Sequence, residues 1–339
     1  MSERDELKIL EEAEGLSRRD LIVKGGIVTA GASLLGSPAV AAAAVKRSAR
    51  ADKKLSYAVI THGAGDVFWA VVKKGVAKAA SDLGVSTTYS ESFNKPDKQA
   101  QLIDTAVARK PNGIAVSAPN ASAIKDSLRR AEKAGIIVIT LNSGVDQFKQ
   151  LGALTHVGQT ENIAGAGAGQ RLAATGAKHL LVIFHEAANI GLEQRFAGAK
   201  STFKGKVSRI LVKGVTDVAT STNEIRTKLQ ADKSIDAILA LNPQMGIAAR
   251  DAAKGVRSKA KIGTFDLSSD VIKAIQKGQI LFAVDQQQYE QGYLPLVFLY
   301  LFNINLNTVG GGKPVLTGPG FVDKSNAAKV AALARKGTR

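Results

Sequence analysis

The residues of this chain that could do chemistry are polar side chains that directly follow short β-rich segments. They are His62, Asp66, Ser117, Asn142, Ser143, Gln159, Glu161, Glu186, Asn189, Asn242, Asp266, Asp285 and Gln286. A single residue of this kind is often a loop residue or a helix N-cap, because Asn, Asp and Ser favour both positions. Their recurrence at one segment end after another favours a shared binding site.

Two aromatic residues, Phe68 and Trp69, follow Asp66 closely, and Trp69 is the single tryptophan of the chain. A flat ring can pack on an apolar C–H face, while carboxylates and amides bind the hydroxyls around that face. Together these groups complement a polyhydroxylated small molecule. Core packing beneath the first helix is the alternative for both rings. We favour stacking, because core residues rarely need the largest ring beside an aspartate.

The elements that must position these residues alternate between strand and helix from Leu55 onward, which is typical of a mainly parallel sheet covered on both faces. The predicted strands are Leu55–Thr61, Val85–Ser90, Gly113–Ser117, Ile136–Leu141, Leu154–Val157, Leu180–Phe184, Val207–Val212, Ala237–Leu241, Ile262–Phe265 and Ile280–Val284. The predicted helices are Phe68–Leu83, Lys98–Ala108, Ala121–Ala134, Ile163–Ala174, Ile225–Leu229 and Val271–Gln276. So many strands predict two sheets. Ligands of parallel α/β sheets bind beyond the carboxyl ends of the strands, where the polar residues lie.

Glycines before several predicted strands indicate left-handed helix caps. They are Gly84, Gly135, Gly176 and Gly278. A further glycine run, Gly165–Gly169, lacks the third glycine of a dinucleotide loop, so we expect these small residues to pack a helix against a sheet.

Composition narrows the function classes. The chain has 339 residues, 45% of them apolar, which is enough for two domains of ordinary size. The absence of cysteine excludes disulfides, thiolate metal sites, a cysteine nucleophile and a lipid-modified cysteine anchor. The net charge of +17 comes from lysines dispersed on helical faces, so we expect solvated surface and no nucleic-acid partner.

The N-terminal segment has the features of an export signal. Ser17-Arg18-Arg19-Asp20-Leu21 resembles the twin-arginine motif, and a mildly apolar, glycine-rich stretch follows. Small residues over 39–44 offer several A-x-A cleavage sites, between which the sequence does not choose. An ordinary amphipathic helix is the alternative. We predict a twin-arginine signal peptide over 1–45 and a periplasmic location.

The chain resembles the type I periplasmic sugar-binding proteins, the ribose- and galactose-binding family, over most of residues 55–325. Asp66-Val67-Phe68-Trp69 resembles the family's first-helix motif, and Asn142-Ser143 occupies the place of its ligand pair after strand four. Thr264-Phe265-Asp266 and Val284-Asp285-Gln286 resemble two further strand ends, and Asn242 matches the family's asparagine.

The resemblance implies two Rossmann-like α/β lobes with mainly parallel sheets, joined by a three-strand hinge. The chain would cross near Gln159, Gln286 and Pro314, which gives one lobe of 52–158 plus 287–313 and another of 159–286 plus 314–330. Hinge closure around a sugar or polyol would present the closed form to an ABC transporter permease. The protein would contact the membrane only through that permease, and we expect the protein to be a monomer.

The ligand-binding set expected from these arguments is His62, Asp66, Phe68, Trp69, Ser117, Asn142, Ser143, Gln159, Glu161, Asn189, Arg195, Asn242, Asp266 and Gln286. We expect no catalytic residue and no cofactor. We also expect no metal, because the four histidines are scattered along the chain. The family's ribose binders carry Asp-Arg where Asn142-Ser143 stands, and Glu193 takes the place of a further arginine, with Arg195 two residues later. These departures argue against ribose itself.

Two other function classes fit parts of the sequence. A sugar-sensing transcription regulator shares the two-lobed body, but its helix-turn-helix headpiece would need compact helices where the twin arginines and the Gly/Ala stretch stand. An exported α/β enzyme is the second alternative. Ser-x-x-Lys occurs at Ser122, Ser201 and Ser258, which chance explains in a lysine-rich chain.

Overall fold

The computed structural model describes residues 54–339, which form two α/β lobes. The predicted signal peptide lies outside the described residues. The first lobe contains β1 (Ser56–Thr61), α1 (Val67–Leu83), β2 (Ser86–Glu91), α2 (Pro96–Ala108), β3 (Gly113–Ser117), α3 (Ala121–Lys133), β4 (Ile137–Asn142) and β5 (His156–Gln159). The second begins with α4 (Glu161–Ala173), β6 (His179–Phe184), α5 (Ile190–Thr202), β7 (Lys206–Leu211), α6 (Val218–Ala231) and β8 (Ala237–Ala240).

The second lobe continues with α7 (Pro243–Gly255), β9 (Lys261–Phe265), α8 (Ser269–Gln276) and β10 (Phe282–Asp285). The chain then returns to the first lobe as α9 (Gln288–Asn305), a 3-10 turn (Gly310–Gly312) and β11 (Val315–Gly318). It ends in the second lobe as β12 (Gly320–Asp323) and α10 (Ala327–Lys336). Among the described residues, no helix is both long and apolar enough to cross a membrane.

Each lobe is built on a six-stranded sheet. The first sheet has the order β11-β5-β4-β3-β1-β2 and is parallel throughout. The second has the order β12-β10-β9-β8-β6-β7, in which β12 alone is antiparallel. The expected fold class is confirmed. The carboxyl ends of the parallel strands in both sheets open toward the space between the lobes, as parallel α/β sheets require for a ligand site.

The chain crosses between the lobes three times. It crosses after Gln159, after Asp285 and at the Gly318–Pro319 bond. The last crossing lies beyond the expected position near Pro314, because Val315–Gly318 still pair with β5 of the first sheet. The strands β11 and β12 were not among the predicted ones, since their partners, β5 and β10, are distant in sequence.

Glycines shape both the helix ends and the packing of the second lobe. The four glycines predicted as left-handed caps all have positive φ, from 64° at Gly84 to 83° at Gly176. The glycine run of α4 packs against α5 rather than against a sheet. A Cβ on Gly165 would lie 2.0 Å from the carbonyl oxygen of Arg195, so only glycine lets the two helices approach this closely. That close packing positions Arg195.

Candidate functional site

A cleft lies between the lobes and is lined by residues of both. Its lining consists of His62, Asp66, Phe68, Trp69, Asn142, Ser143, His185, Glu186, Asn189, Gly191, Leu192, Arg195, Leu241, Asn242, Asp266 and Gln286. Most of these residues follow the carboxyl end of a strand or begin the next helix. The fold therefore gathers polar groups that are far apart in sequence.

Asn142 and Asp266 occupy corresponding places in the two sheets. Asn142 ends β4 and Asp266 follows β9, and both have the uncommon positive φ, 61° and 67°. Gln286 connects them, since its Nε2 donates to Asp266 Oδ1 at 2.7 Å and its Oε1 accepts from Asn142 Nδ2 at 3.3 Å. Gln291 strengthens the link by donating to Gln286 Oε1 at 2.9 Å. A hinge residue is thus hydrogen-bonded to the cleft residues of both lobes.

Asp66 has two roles in the cleft wall. Its Oδ1 accepts from the backbone N–H of Trp69 at 2.9 Å and caps α1. Burial raises the pKa of its carboxyl to about 6, against the effect of that hydrogen bond. Asp66 is therefore a helix cap that also lines the cleft. Asn189 and Asn242 likewise cap α5 and α7 while they line the cleft.

The aromatic pair forms one wall. Trp69 and Phe68 meet edge to face with ring centroids 4.9 Å apart, and Trp69 meets His62 at the same distance. Both rings are buried, at 3% and 4% exposure, and belong to the first lobe's hydrophobic core. They also line the cleft, so the two rings pack in the core and border the cleft at the same time.

Asp266 faces a buried ion pair. Arg195 donates from Nε to Glu161 Oε2 at 2.6 Å and from Nη2 to Oε1 at 2.9 Å, a bidentate arrangement, and its guanidinium lies 4.3 Å from the Phe265 ring centroid. Burial raises the pKa of Asp266 to about 7, although the charge of Arg195 and the hydrogen bond from Gln286 oppose the shift. Arg195 is already bound by Glu161, so it neutralises Asp266 incompletely.

His62 and Glu186 meet across the lobes. His62 Nε2 lies 3.6 Å from Glu186 Oε2, which accepts from Asn189 Nδ2 at 2.7 Å. Burial lowers the pKa of His62 to about 4, more than Glu186 raises it. Burial by itself would raise the pKa of Glu186. The interactions of Glu186 with His185, His62 and Asn189 outweigh burial and hold that pKa below its usual range.

Three members of the expected set lie behind the lining. Ser117 Oγ accepts from the backbone N–H of His62 and contacts His62 Nδ1, both at 2.8 Å, and so orients that ring. Gln159 donates to Glu161 Oε2 at 2.9 Å, and Glu161 holds Arg195. The side chains of all three therefore contact neighbouring residues and are not part of the cleft lining.

The cleft also contains residues outside the expected set. His185 and Glu186 come directly after β6. Their position after a strand was the sequence signal that could have identified them as cleft residues. Gly191, Leu192 and Leu241 are apolar, and no polar pattern could have pointed to them. Among residues 54–339, no group of three or more His, Asp or Glu side chains is arranged to hold a metal ion.

Direct contacts show that the two lobes are closed on each other. The backbone N–H of Ile190 donates to Pro119 O at 3.1 Å, and Gln194 Nε2 donates to Asp146 Oδ2 at 2.5 Å. Both contacts join the first turns of α5 to loops of the first lobe. Closure of the lobes therefore encloses the cleft beneath this helix.

Comparison with known proteins places this geometry in a family. Residues 57–301 match the periplasmic binding protein domain family. A solved carbohydrate transporter from Acidothermus cellulolyticus 11B, in complex with myo-inositol, is 41% identical, with a TM-score of 0.83, and the match covers 85% of this chain and 100% of that one. The ribose import binding protein of Haemophilus influenzae is 27% identical over 259 residues, which are 75% of this chain and 87% of the relative. The D-allose-binding periplasmic protein of Escherichia coli is 28% identical over 258 residues, 70% of this chain and 80% of that protein.

Proposed function

Because this chain belongs to the periplasmic binding protein domain family, we propose that it is the solute-binding component of an ABC importer and binds a monosaccharide or polyol between its lobes. The observation that carries the proposal is the composition of the cleft. Carboxylates and amides from both lobes, Asp66, Asp266, Asn142 and Asn242 among them, surround a space that the Trp69 and Phe68 rings border.

These groups suit a ring with several hydroxyls. Each hydroxyl donates one hydrogen and accepts others, so a site needs carboxylate acceptors together with amide groups that can do both. The rings supply apolar surface for the C–H groups. The relatives described as binding myo-inositol, ribose and D-allose all take neutral polyhydroxylated ligands, which supports the same class here.

The hinge supports a closure mechanism. Three crossings connect the lobes, and Gln286 at one of them is bonded to Asn142 and Asp266 on either side of the cleft. A ligand that bonds both lobes stabilises the closed form by its differential affinity for it. The closed form would then be recognised by a membrane permease, after export of the chain by its twin-arginine segment to the periplasm.

A thermal-shift screen tests the proposal. The purified protein is heated with pentoses, hexoses, deoxysugars, linear polyols and cyclitols, each over a range of concentrations. A compound that binds only the folded state raises Tm in a concentration-dependent way. We expect at least one of these neutral compounds to do so. A screen in which none raises Tm would contradict the proposed ligand class.

A further inference from the structure

Gln286, the hinge residue that is bonded to both sides of the cleft, is held through its two neighbours in the chain. One of them, Gln287, has φ 56° and ψ 60°, a left-handed conformation that is uncommon for a residue with a side chain. Such a backbone persists only where surrounding contacts hold it. The other neighbour, Asp285, supplies one of these contacts, since its Oδ1 accepts from the backbone N–H of Gln287 at 3.0 Å. The conformation of the chain at Gln286 therefore depends on what Asp285 and Gln287 contact.

Arg339 contacts both of these neighbours at once. Its Nε and Nη2 lie 2.9 and 2.7 Å from Asp285 Oδ2, and its Nη1 donates to Gln287 Oε1 at 2.7 Å. The Asp285 side chain is 1% exposed, so its carboxylate meets the guanidinium away from water. A guanidinium is planar and its donors have a fixed spacing. One side chain thus fixes Asp285 and Gln287 relative to each other.

Gln287 is also bonded to the third crossing between the lobes. Its Nε2 donates to Thr317 O at 2.7 Å, and Thr317 Oγ1 donates to Gln286 O at 2.8 Å. Thr317 belongs to β11 and comes directly before the Gly318–Pro319 bond at which the chain crosses. Two of the three crossings therefore share one hydrogen-bond network with Arg339.

The segment that carries Arg339 contacts both lobes. It follows α10, whose residues Ala327 and Ala334 pack in the core of the second lobe. At the end of α10, Lys336 O accepts at 2.5 Å from Nζ of Lys74, which belongs to α1 of the first lobe. Residues 336–339, which we call the strap, therefore join α1, α10 and the hinge.

We propose that Arg339 is a positioning residue for ligand binding. By holding Asp285 and Gln287 it keeps Gln286 in the place from which its amide bonds Asp266 and Asn142, the cleft residues of the two lobes. Arg339 is not among the residues that line the cleft, so it acts on affinity without contact with the ligand. The inference rests on the proposed function and adds to it a residue outside the cleft that sets affinity.

Calorimetric titration tests the inference. The probe is the tightest binder among myo-inositol, D-ribose and D-allose or, where none of these binds, the compound of the thermal-shift panel that raises Tm most. Arg339→Ala should bind this probe about two- to thirty-fold more weakly than the wild type, as is typical of a residue coupled to a site that it does not contact. Arg339→Lys keeps the charge but loses the fork of donors, so we expect an intermediate affinity. Arg335→Ala, on exposed α10 surface, is the control and should bind like the wild type.

A double-mutant cycle separates positioning from stability. A loss of stability alone leaves the Kd of the folded protein unchanged. Because we infer that Arg339 acts through Gln286, Arg339→Ala should change Kd by less than about two-fold when it is introduced into Gln286→Ala, although it should still lower Tm there. Where Gln286→Ala binds too weakly for calorimetry, the dependence of Tm on probe concentration gives its Kd. Thermal melts confirm that each variant folds.

The outcomes separate the two proposals. Equal affinity of Arg339→Ala and Arg335→Ala, or an equal loss of affinity in the presence and in the absence of the Gln286 side chain, would overturn this inference and leave the proposed function standing. Binding by none of the three probes and by no compound of the thermal-shift panel would overturn the proposed function, and this inference with it.

Discussion

Gln286 Nε2 donates a hydrogen bond to Asp266 Oδ1 over 2.7 Å, which joins the first hinge residue after β10 to the cleft carboxylate after β9. The same amide accepts from Asn142 of the other lobe. A ligand that bonds Asp266 or Asn142 therefore contacts residues whose positions depend on the hinge. This relationship would connect the proposed ligand binding with the proposed closure.

The buried carboxylate of Asp266 should make stability depend on pH. Its pKa is about 7 in the folded protein against an ordinary 3.8, so the folded state binds the proton more tightly and loses stability as pH rises from about 4 to about 7. Asp266→Asn keeps an oxygen for Gln286 but has no charge. We expect Asp266→Asn to stabilise the protein relative to the wild type more strongly at pH 8 than at pH 4. The gain in free energy of unfolding should differ between the two pH values by up to about 4 kcal/mol.

Urea denaturation of the ligand-free protein at the two pH values measures this difference. Asp126→Asn is the matched control, since that carboxylate is 80% exposed, and it should show a much smaller change. An Asp266→Asn effect that is equal at pH 4 and pH 8 would show that Asp266 does not titrate in this range.

Trp69 should report ligand binding through its fluorescence. It is the single tryptophan of the chain, lines the cleft and is 3% exposed. A ligand against its ring changes the surroundings of the indole, so we expect a saturable change in emission with a midpoint equal to the calorimetric Kd. Trp69→Phe should weaken binding, and Trp69→Ala should also cost about 3–5 kcal/mol of stability, because the ring belongs to the core. Unchanged emission together with full affinity in Trp69→Phe would show that the ring does not contact the ligand.

Arg339 should stabilise the hinge. Arg339 bonds Asp285 Oδ2 from Nε at 2.9 Å and from Nη2 at 2.7 Å, and its Nη1 donates to Gln287 Oε1 at 2.7 Å. The Asp285 side chain is 1% exposed, so Arg339→Ala leaves a buried carboxylate short of donors. We expect a loss of about 1–3 kcal/mol in the free energy of unfolding.

Chemical denaturation measures this loss, with Arg335→Ala on exposed α10 surface as the control. Asp285→Asn introduced into Arg339→Ala should recover part of the stability, because it removes the charge that lost its partner. Equal stability of Arg339→Ala and Arg335→Ala would contradict a role for this ion pair.

Export should depend on the paired arginines. Replacing Arg18 and Arg19 together by lysine keeps the charge but removes the guanidinium groups of the twin-arginine motif. We expect the protein to remain in the cytoplasm, as cell fractionation and immunoblotting would show. Normal recovery from the periplasm would indicate that the general secretion pathway carries the chain.

The sequence predicted the fold because its signals are local. Alternating β-rich and helical segments indicate parallel α/β sheets, and the rule for strand ends then selects Asp66, Asn142, Asn242 and Asp266, all of which line the cleft. The left-handed caps at Gly84 and its equivalents were predictable for the same reason, since glycine is the residue that adopts positive φ at little cost.

What the sequence could not provide depends on partners distant in the chain. β11 and β12 have only four residues each, and their pairing with β5 and β10 exists only in the folded protein. The direction of the Glu161 side chain toward Arg195 comes from the glycine packing of α4 on α5. The contact of Glu186 with His62 joins the two lobes and arises only when they close.

The most direct test of a polyol site between the lobes is calorimetric titration of the wild type, Asp66→Ala and Asp266→Ala with a polyol identified by thermal shift. The two aspartates come from opposite lobes, so a ligand bound between the lobes meets both. We predict saturable 1:1 binding to the wild type and a loss of about ten- to hundred-fold in affinity in each folded variant, because each removes a charged acceptor. Asp126→Ala should bind like the wild type. Unchanged affinity in both aspartate variants, with folding intact, would contradict the account.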